Sequence, residues 1–338
     1  MCRLCARKKG RILAQAKMGR SAHNSAPQHR WLSLMIVRPR PHWLRMLFVR
    51  RGSLLPRILG QLVFIVTLST LVVLLHGQVF HWKVTLTSVP FSLMGVALAI
   101  FLGFRINASY DRYWEARKQW GALLIGARSL TREVASFAPD EPDLQRRAVR
   151  MLAAFVFALK HQLRGTDPRA DLACRLDPAV VDRVCAARFV PSALLLCLAQ
   201  DFAAARRAGS LTDLQLQSMD TNLNLLTEAS GACERIANTP IPYTYRVLMN
   251  RTVMVYCLLL PVGLANAIGW LTVLVGPFIA YTFLALDVIG EQIEEPFGTS
   301  PNDLALDAMS VNIEASVREL LGDRDLPAPL RPVDCVLT

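Results

Sequence analysis

Residues 84–117 read VTLTSVPFSLMGVALAIFLGFRINASYDRYWEAR, and this stretch joins two solvents within one segment. No charged side chain occurs from Val84 to Phe104. Arg105, Asp111, Arg112, Glu115 and Arg117 then follow, with Lys118 next. A helix of about 20 apolar residues crosses a hydrocarbon core of ~30 Å. The segment is therefore expected to be a membrane helix running directly into a charged, water-facing helix.

The whole chain leans the same way. It has 338 residues, 53% of them hydrophobic, and a mean hydropathy of +0.32, which lies on the apolar side of ordinary soluble domains. The net charge of +12 is uneven. None of the 26 acidic residues precedes Asp111, whereas residues 1–110 carry sixteen Lys or Arg, fourteen of them before Ile58. Lys and Arg flanking a membrane segment mark its cytoplasmic side. The N-terminus is thus expected inside, with its basic arm against anionic headgroups. Nucleic-acid binding is the competing reading of such an arm, but the membrane accounts for the charge without that partner.

Four stretches pass the membrane test. Ile58 to Leu75 is uncharged and long enough to span. His76 to Lys83 is a short polar connection outside, and Val84 to Phe104 returns to the cytoplasm. Val253 to Ala267 and Trp270 to Leu286 form a second hairpin turned at Asn266–Gly269, with Arg251 before it and Asp287 and Glu291 after it. An even number of spans returns the C-terminus to the cytoplasm. The location expected is the inner (plasma) membrane, multi-pass, with both termini cytoplasmic.

The intervening region reads as soluble helix. Leu123, Leu124, Ala127, Leu130 and Val134 recur at helical spacing within Asp111–Phe137. Pro139 and Pro142 end that helix, with Asp140 and Asp143 as expected caps for the next. Met151 to Leu163 is apolar but closed by Lys160 and Arg164, so it reads as core rather than span. Thr166 to Pro178 reads as a loop, Phe189 to Ala205 as a buried helix, and Leu211 to Ile236 as the last helix of the bundle. Beyond Glu291, a turn at Glu294–Gly298 precedes a helix expected to be capped by Asn302 or Asp303 and to run to Leu321. No strand pattern stands out.

The expected organisation is a disordered basic extension over residues 1–34 and a cytosolic segment leading into the membrane at 35–57. A first transmembrane hairpin follows at 58–104 and a cytosolic helical region at 105–246. A second hairpin occupies 247–287, and a cytosolic C-terminal segment and tail 288–338. The extension resembles neither a signal peptide nor a folded unit. Met35 opens a better-organised stretch and is read as a real or alternative start.

Chemistry-bearing motifs are scarce. The eight cysteines lack paired zinc-knuckle spacing, Cys2-x-x-Cys5 having no second half nearby, and they read as reduced thiols. The six histidines form no H-E-x-x-H cluster, and no Walker loop, G-x-S-x-G or G-x-G-x-x-G is present. Neither an enzymatic activity nor a metal or cofactor site is expected.

The membrane half of the opening stretch carries two adjacent rows. Gly95, Ala99 and Gly103 form a small-x-x-x-small stripe that lets neighbouring helices approach closely. Val96, Ile100 and Phe104 repeat one residue around the helix, with Leu98 and Leu102 on the far side. If copies of this helix pack about an axis along the small stripe, the adjacent row makes a narrow apolar ring. Such a ring can gate ions by dewetting. Ordinary core or lipid contact is the other reading of the same spacing. Pro90 is expected to kink or interrupt the helix, leaving Val84–Val89 as a separate short helix or an outer vestibule wall.

Several blocks of residues resemble the bestrophin family in its bacterial branch. The first is Phe101-Leu102-Gly103-Phe104-Arg105-x-Asn107-x-x-Tyr110-x-Arg112-Tyr113-x-Glu115-Ala116-Arg117, followed by Trp120-Gly121. The others are Ile241-Pro242-x-x-Tyr245 before the third span, and Glu294-Glu295-Pro296-Phe297-Gly298 with Pro301-Asn302-Asp303-Leu304 after the fourth. The resemblance covers Met35 to about Leu320. It implies an all-α membrane protein with two transmembrane hairpins and a cytosolic helical bundle, assembled as a homopentamer around one pore for monovalent ions. It places the family's hydrophobic neck on Val96, Ile100 and Phe104, and its cytosolic aperture on Ile241. Arg105, Asn107, Tyr110, Arg112, Glu115 and Arg117 carry the structural signature, and the charged half of the stretch, Arg105 to Arg117, is expected to clamp pore helices to the cytosolic bundle through ion pairs. Eukaryotic members bind calcium after the P-F-G element. Here Thr299–Asp303 offers one carboxylate where calcium takes about six to eight oxygens, so calcium activation is not expected.

Resemblance to the bacterial branch implies sodium conduction, and to eukaryotic relatives chloride. The Phe104 ring does not choose, because its face attracts cations and its edge anions. A secondary transporter is disfavoured by the lack of repeated halves and of midplane charges. A membrane-anchored scaffold using Arg105–Arg246 is the remaining alternative.

Overall fold

The computed structural model describes residues 54–75, 78–79, 82–83, 88–332 and 337. The expectations for residues 1–34, most of 35–57, the Met35 start and the Cys2/Cys5 pair lie outside the described residues. Helix α1 (Leu55–Leu74) is followed by two short strands, β1 (Gln78–Val79) and β2 (Trp82–Lys83), paired antiparallel. They add a small ribbon to the connection that had been read as plain polar chain. Helix α2 (Ser88–Phe137) has 50 residues, about 75 Å at 1.5 Å per residue. The break expected at Pro90 does not occur. Pro90 sits in the first turn of α2, where a missing N–H breaks no intrahelical bond. Ser88 and Val89 open the same helix.

The chain continues with α3 (Pro142–Arg164), α4 (Arg169–Ala173), α5 (Pro178–Cys185), α6 (Val190–Arg207) and α7 (Asp213–Asn238). Two of these were missed. Helices α4 and α5 have 5 and 8 residues, too short to show a period within a segment rich in Gly, Pro and Asp. Helix α3 begins at Pro142 after Glu141, which makes no side-chain cap, so Asp143 is a first-turn residue rather than the cap. Gly165, at φ 63°, ends it in the left-handed region that glycine adopts without steric cost. Helix α7 starts with a capping box in which Thr212 and Gln215 satisfy each other's backbone N–H groups.

The second hairpin is α8 (Tyr243–Ile268) and α9 (Thr272–Glu294), joined by a 3-10 turn at Gly269–Leu271. Leu55–Leu74, Val89–Phe137 and Tyr243–Glu294 are each long and apolar enough to cross a membrane. Pro261 and Pro277 lie inside α8 and α9, as membrane helices tolerate. Helix α10 (Leu306–Leu320) follows Ala305, which makes no side-chain cap. Asp303 instead accepts the Ser300 N–H at 2.6 Å within the preceding turn, so the cap expected from Asn302 or Asp303 is not formed.

Two apolar cores result. In the membrane half, Ile58 and Ile65 of α1 meet Leu98 and Leu102 of α2, Tyr256 and Leu260 of α8, and Ala280 and Leu284 of α9. The other core, in the helical bundle, gathers Trp120, Leu123, Ala127 and Leu130 of α2 with Phe155 of α3, Phe202 of α6, Leu226 of α7 and Val317 of α10. Helix α2 belongs to both. It packs along α7 below and along α8 and α9 above. Cys185, Cys197, Cys233 and Cys257 are free thiols. Burial pushes Cys233 up to about 12, which keeps it a packing group rather than a nucleophile.

Candidate functional site

The membrane half of α2 turns its faces as the spacing predicts. Leu98 and Leu102 are 1% and 0% exposed against the chain's own helices, whereas Val96, Ile100 and Phe104 are 61%, 53% and 64% exposed. Three large apolar side chains thus form a row that the chain itself leaves uncovered. The small stripe divides. A Cβ on Gly95 would stand 2.8 Å from the Tyr256 hydroxyl, so Gly95 serves packing of α2 on α8 within one chain. Ala99 is exposed, and a Cβ on Gly103 would meet nothing within 4 Å. Those two positions face outward beside the exposed row.

Directly below Phe104, the signature residues do different work from one another. Arg105 is 2% exposed and forms ion pairs with Asp287 and, at 3.7 Å, with Glu294, both on α9. Asn250 of α8 donates to Asp287 at 3.4 Å. Arg105 therefore ties α2 directly to α9, and through Asp287 to Asn250 of α8, by ion pairs to the second hairpin where pairing to the bundle was expected.

Arg112 corrects that expectation. Its guanidinium donates to three backbone carbonyls: Ile236 at 2.7 Å, Glu294 at 3.2 Å, and Thr239. These carbonyls close α7 and α9, where the last turns lack intrahelical donors and carry partial negative charge. A planar fork of five N–H groups reaches several such acceptors at once. Sequence spacing could not show this, since the acceptors are main-chain atoms more than a hundred positions away.

The remaining signature residues stay local. Glu115 pairs with Lys118 at 2.7 Å and accepts from Gln119 at 2.6 Å. Arg117 lies over the Trp114 ring at 5.6 Å, while Asn107 and Tyr110 are exposed. Ion pairing of the charged half to the bundle was expected; the ion pairs of Arg105 go to α9 of the second hairpin instead, and the contacts of Arg112 with the end of α7 are hydrogen bonds to backbone carbonyls.

Ile241 lies in the turn between α7 and α8 and is partly exposed. The Tyr245 hydroxyl, four residues on, donates to the Phe101 carbonyl at 3.1 Å, so the I-P-x-x-Y element touches the neck helix itself. Deeper in the bundle, Lys160 joins Asp171 and Asp307 at 2.9 Å each, and Arg164 holds Asp307 at 2.7 Å. Burial works to raise both carboxyls, but their hydrogen bonds to Lys160 and its neighbours hold them below the usual carboxylate range. This network joins α3, α4 and α10, and it explains the polar end of an otherwise apolar α3.

Comparison with known proteins agrees with this architecture. The model of the bacterial/fungal bestrophin family matches residues 35–319. A Ralstonia nicotianae protein named a voltage-dependent anion channel-forming protein is 48% identical, over 86% of this chain and 96% of its own length. An Escherichia coli protein of the same designation is 40% identical, over 88% and 98%. The crystal structure of a bacterial bestrophin homologue from Klebsiella pneumoniae superposes with a TM-score of 0.77 at 41% identity, covering 79% of this chain and 99% of that one. The chain belongs to the bacterial/fungal bestrophin family.

Proposed function

We propose that this chain is the pore-forming subunit of a homopentameric channel that passes monovalent ions passively across the inner membrane, with both termini cytoplasmic. The observation that carries this reading is the row Val96, Ile100 and Phe104, uncovered by its own chain and ending where Arg105 marks the membrane boundary. Packed about an axis, that row forms a hydrophobic neck that resists ions by dewetting, and Ile241 forms a second, cytosolic constriction. Ala99 and Gly103 leave room for the adjacent copy of α2.

Cations, with sodium foremost, are the favoured cargo. Asp111 stands exposed on the same face of α2, eleven residues and about three turns beyond Ile100. Lys118, further along that face, has its charge engaged by Glu115. Copies of Asp111 below the neck would form a carboxylate ring, the arrangement that favours cations. The second reading is anion conduction, supported by the names of the relatives.

Replacing Val96, Ile100 and Phe104 together with Ala should raise single-channel conductance in planar bilayers, by lowering the dewetting barrier. Unchanged current from an intact oligomer would remove the row from the gate. Reversal potentials in asymmetric NaCl decide the ion. A shift toward the sodium potential supports the first reading, and a shift toward chloride the second. An assembled oligomer without any flux would instead favour a scaffold.

A further inference from the structure

Below Phe104, three buried polar atoms stand together without partners. Arg105 Nε, Ser109 Oγ and Glu294 Oε2 make no hydrogen bond among the described residues. Their residues are each 3% exposed or less. A buried polar atom left unpaired is costly, and folded proteins seldom leave one so.

Helical spacing brings the three to one place. Residues 105, 109 and 112 recur on a single face of α2, and both arginines of that face reach Glu294. Arg105 approaches its carboxylate at 3.7 Å, too far for a direct hydrogen bond. Arg112 Nε donates to its backbone carbonyl at 3.2 Å. Ser109 lies between the two arginines, one turn below Arg105. Its hydroxyl does not turn back to the carbonyl four residues earlier, as the buried hydroxyls of Ser69, Thr131 and Ser310 do. Opposite, Gly290 of α9 leaves the space beside Arg105 open. A Cβ there would stand 3.7 Å from Arg105 Nε and 3.8 Å from Ile106.

The three atoms define what fits among them. A guanidinium N–H only donates, a carboxylate only accepts, and a serine hydroxyl does both. A cation would face the N–H of Arg105, and an anion the carboxylate of Glu294. The charges of Arg105 and Arg112 already balance those of Asp287 and Glu294, so the ligand is neutral. Water donates and accepts at once, and buried waters typically make about three hydrogen bonds to groups otherwise unpaired.

We propose that one water molecule is bound here as part of the fold, accepting from Arg105 Nε, donating to Glu294 Oε2 and bonding to Ser109 Oγ. It joins α2 to α9 just below the neck, and it makes Ser109 a positioning residue for the Arg105 side chain. The site is complete within one chain and does not depend on what passes the pore.

Two measurements on the full chain test it. The first is a structure of the assembled protein at a resolution that shows ordered water. One peak within hydrogen-bond distance of all three atoms is expected. The Ser109 hydroxyl turned onto the Arg105 carbonyl, with nothing between Arg105 Nε and Glu294 Oε2, would overturn the proposal. So would a peak ringed by the short contacts of a metal ion.

The second follows the melting temperature in detergent, with Ser109→Ala made in two backgrounds. In the otherwise native chain it takes one partner from the water, and should lower melting by about 2 °C or more, the scale of one hydrogen bond. Gly290→Ala is accommodated by ordinary contact but fills the space that the water needs. In that background Ser109→Ala removes a hydroxyl already unpaired, so melting should stay level or rise. Comparison within each background cancels the helix propensity that alanine adds at position 290. An equal fall in both backgrounds, or none in the native one, overturns the site.

Discussion

The two halves of α2 share one continuous backbone and obey opposite rules. In the bundle half, Trp120, Leu123, Ala127 and Leu130 are buried, and polar side chains such as Asp111, Arg117 and Lys118 face out. In the membrane half, Leu98 and Leu102 are buried while Val89, Leu93, Val96, Ile100 and Phe104 are exposed. Exposure of a large apolar residue costs free energy in water but not against lipid, so hydrophobicity identifies the core below the junction and fails to identify it above. Above the junction, the informative features are close backbone approach, as at Gly95 beneath Tyr256, and the row left facing away from every helix of the chain. Below the junction, Trp114 and Ile125 are exposed exceptions, and Ile125 lies on the same side of the helix as that row.

The sharpest way to break the comparison is at the junction. Arg105→Met keeps an apolar stem but leaves Asp287 and Glu294 as buried carboxylates without their counter-charge. Such a change should cost about 3–5 kcal/mol, read as a large drop in the melting temperature of the detergent-solubilised protein. Adding Asp287→Asn and Glu294→Gln should recover most of the loss. If the triple variant melts as low as Arg105→Met alone, lost packing rather than stranded charge is the cause.

A smaller contrast separates the halves themselves. Leu123→Ala empties a fully buried site in the bundle core and should cost about 2–5 kcal/mol. Ile100→Ala, on the uncovered row, should alter stability by no more than about 0.5 kcal/mol while changing conductance. Equal losses of stability would show that Ile100 is packed as tightly as a core residue, and the two halves would then differ in solvent alone.

What was legible in the sequence follows the range of the interactions. The spans rest on uncharged apolar length, and the faces of α2 and the long helices of the bundle on periodicity; both are local, and they could be read directly. The outward row at Val96, Ile100 and Phe104 was legible for the same reason. Pro90 misled because proline's effect depends on whether it falls in the first turn, and Thr87 and Ser88 just before it, residue types that open helices, were the signal that it does. The grip of Arg112 on Ile236, Thr239 and Glu294 was not legible, because backbone carbonyls leave no trace in residue identity. The network of Lys160 with Asp171 and Asp307 was hidden likewise. Lys160 reads as a charge that closes an apolar run, and its partners come from α4 and α10.

That network supplies the smallest of the expected effects, and one that only the bundle half should show. Asp171 and Asp307 are held below the ordinary carboxylate range in the folded chain. A carboxyl whose pKa is lowered by folding contributes stability above its unfolded value, and that contribution is lost as pH falls through the folded one. With an ordinary Asp value of about 3.9, thermal melts should stay level from neutral pH down to about 5 and fall off only below about 4. The apolar core of the membrane half has no comparable dependence, since Ile58, Ile65, Leu98 and Leu284 do not titrate. Lys160→Met removes a cation that offsets burial of the two carboxyls, so their folded pKa values should move back up and the acid-side loss should shrink. Melts of the wild type and Lys160→Met from pH 7 to 3 read both statements. A fall below pH 4 as large in the variant as in the wild type would show that Arg164 and His161 hold Asp307 and Asp171 without help from Lys160.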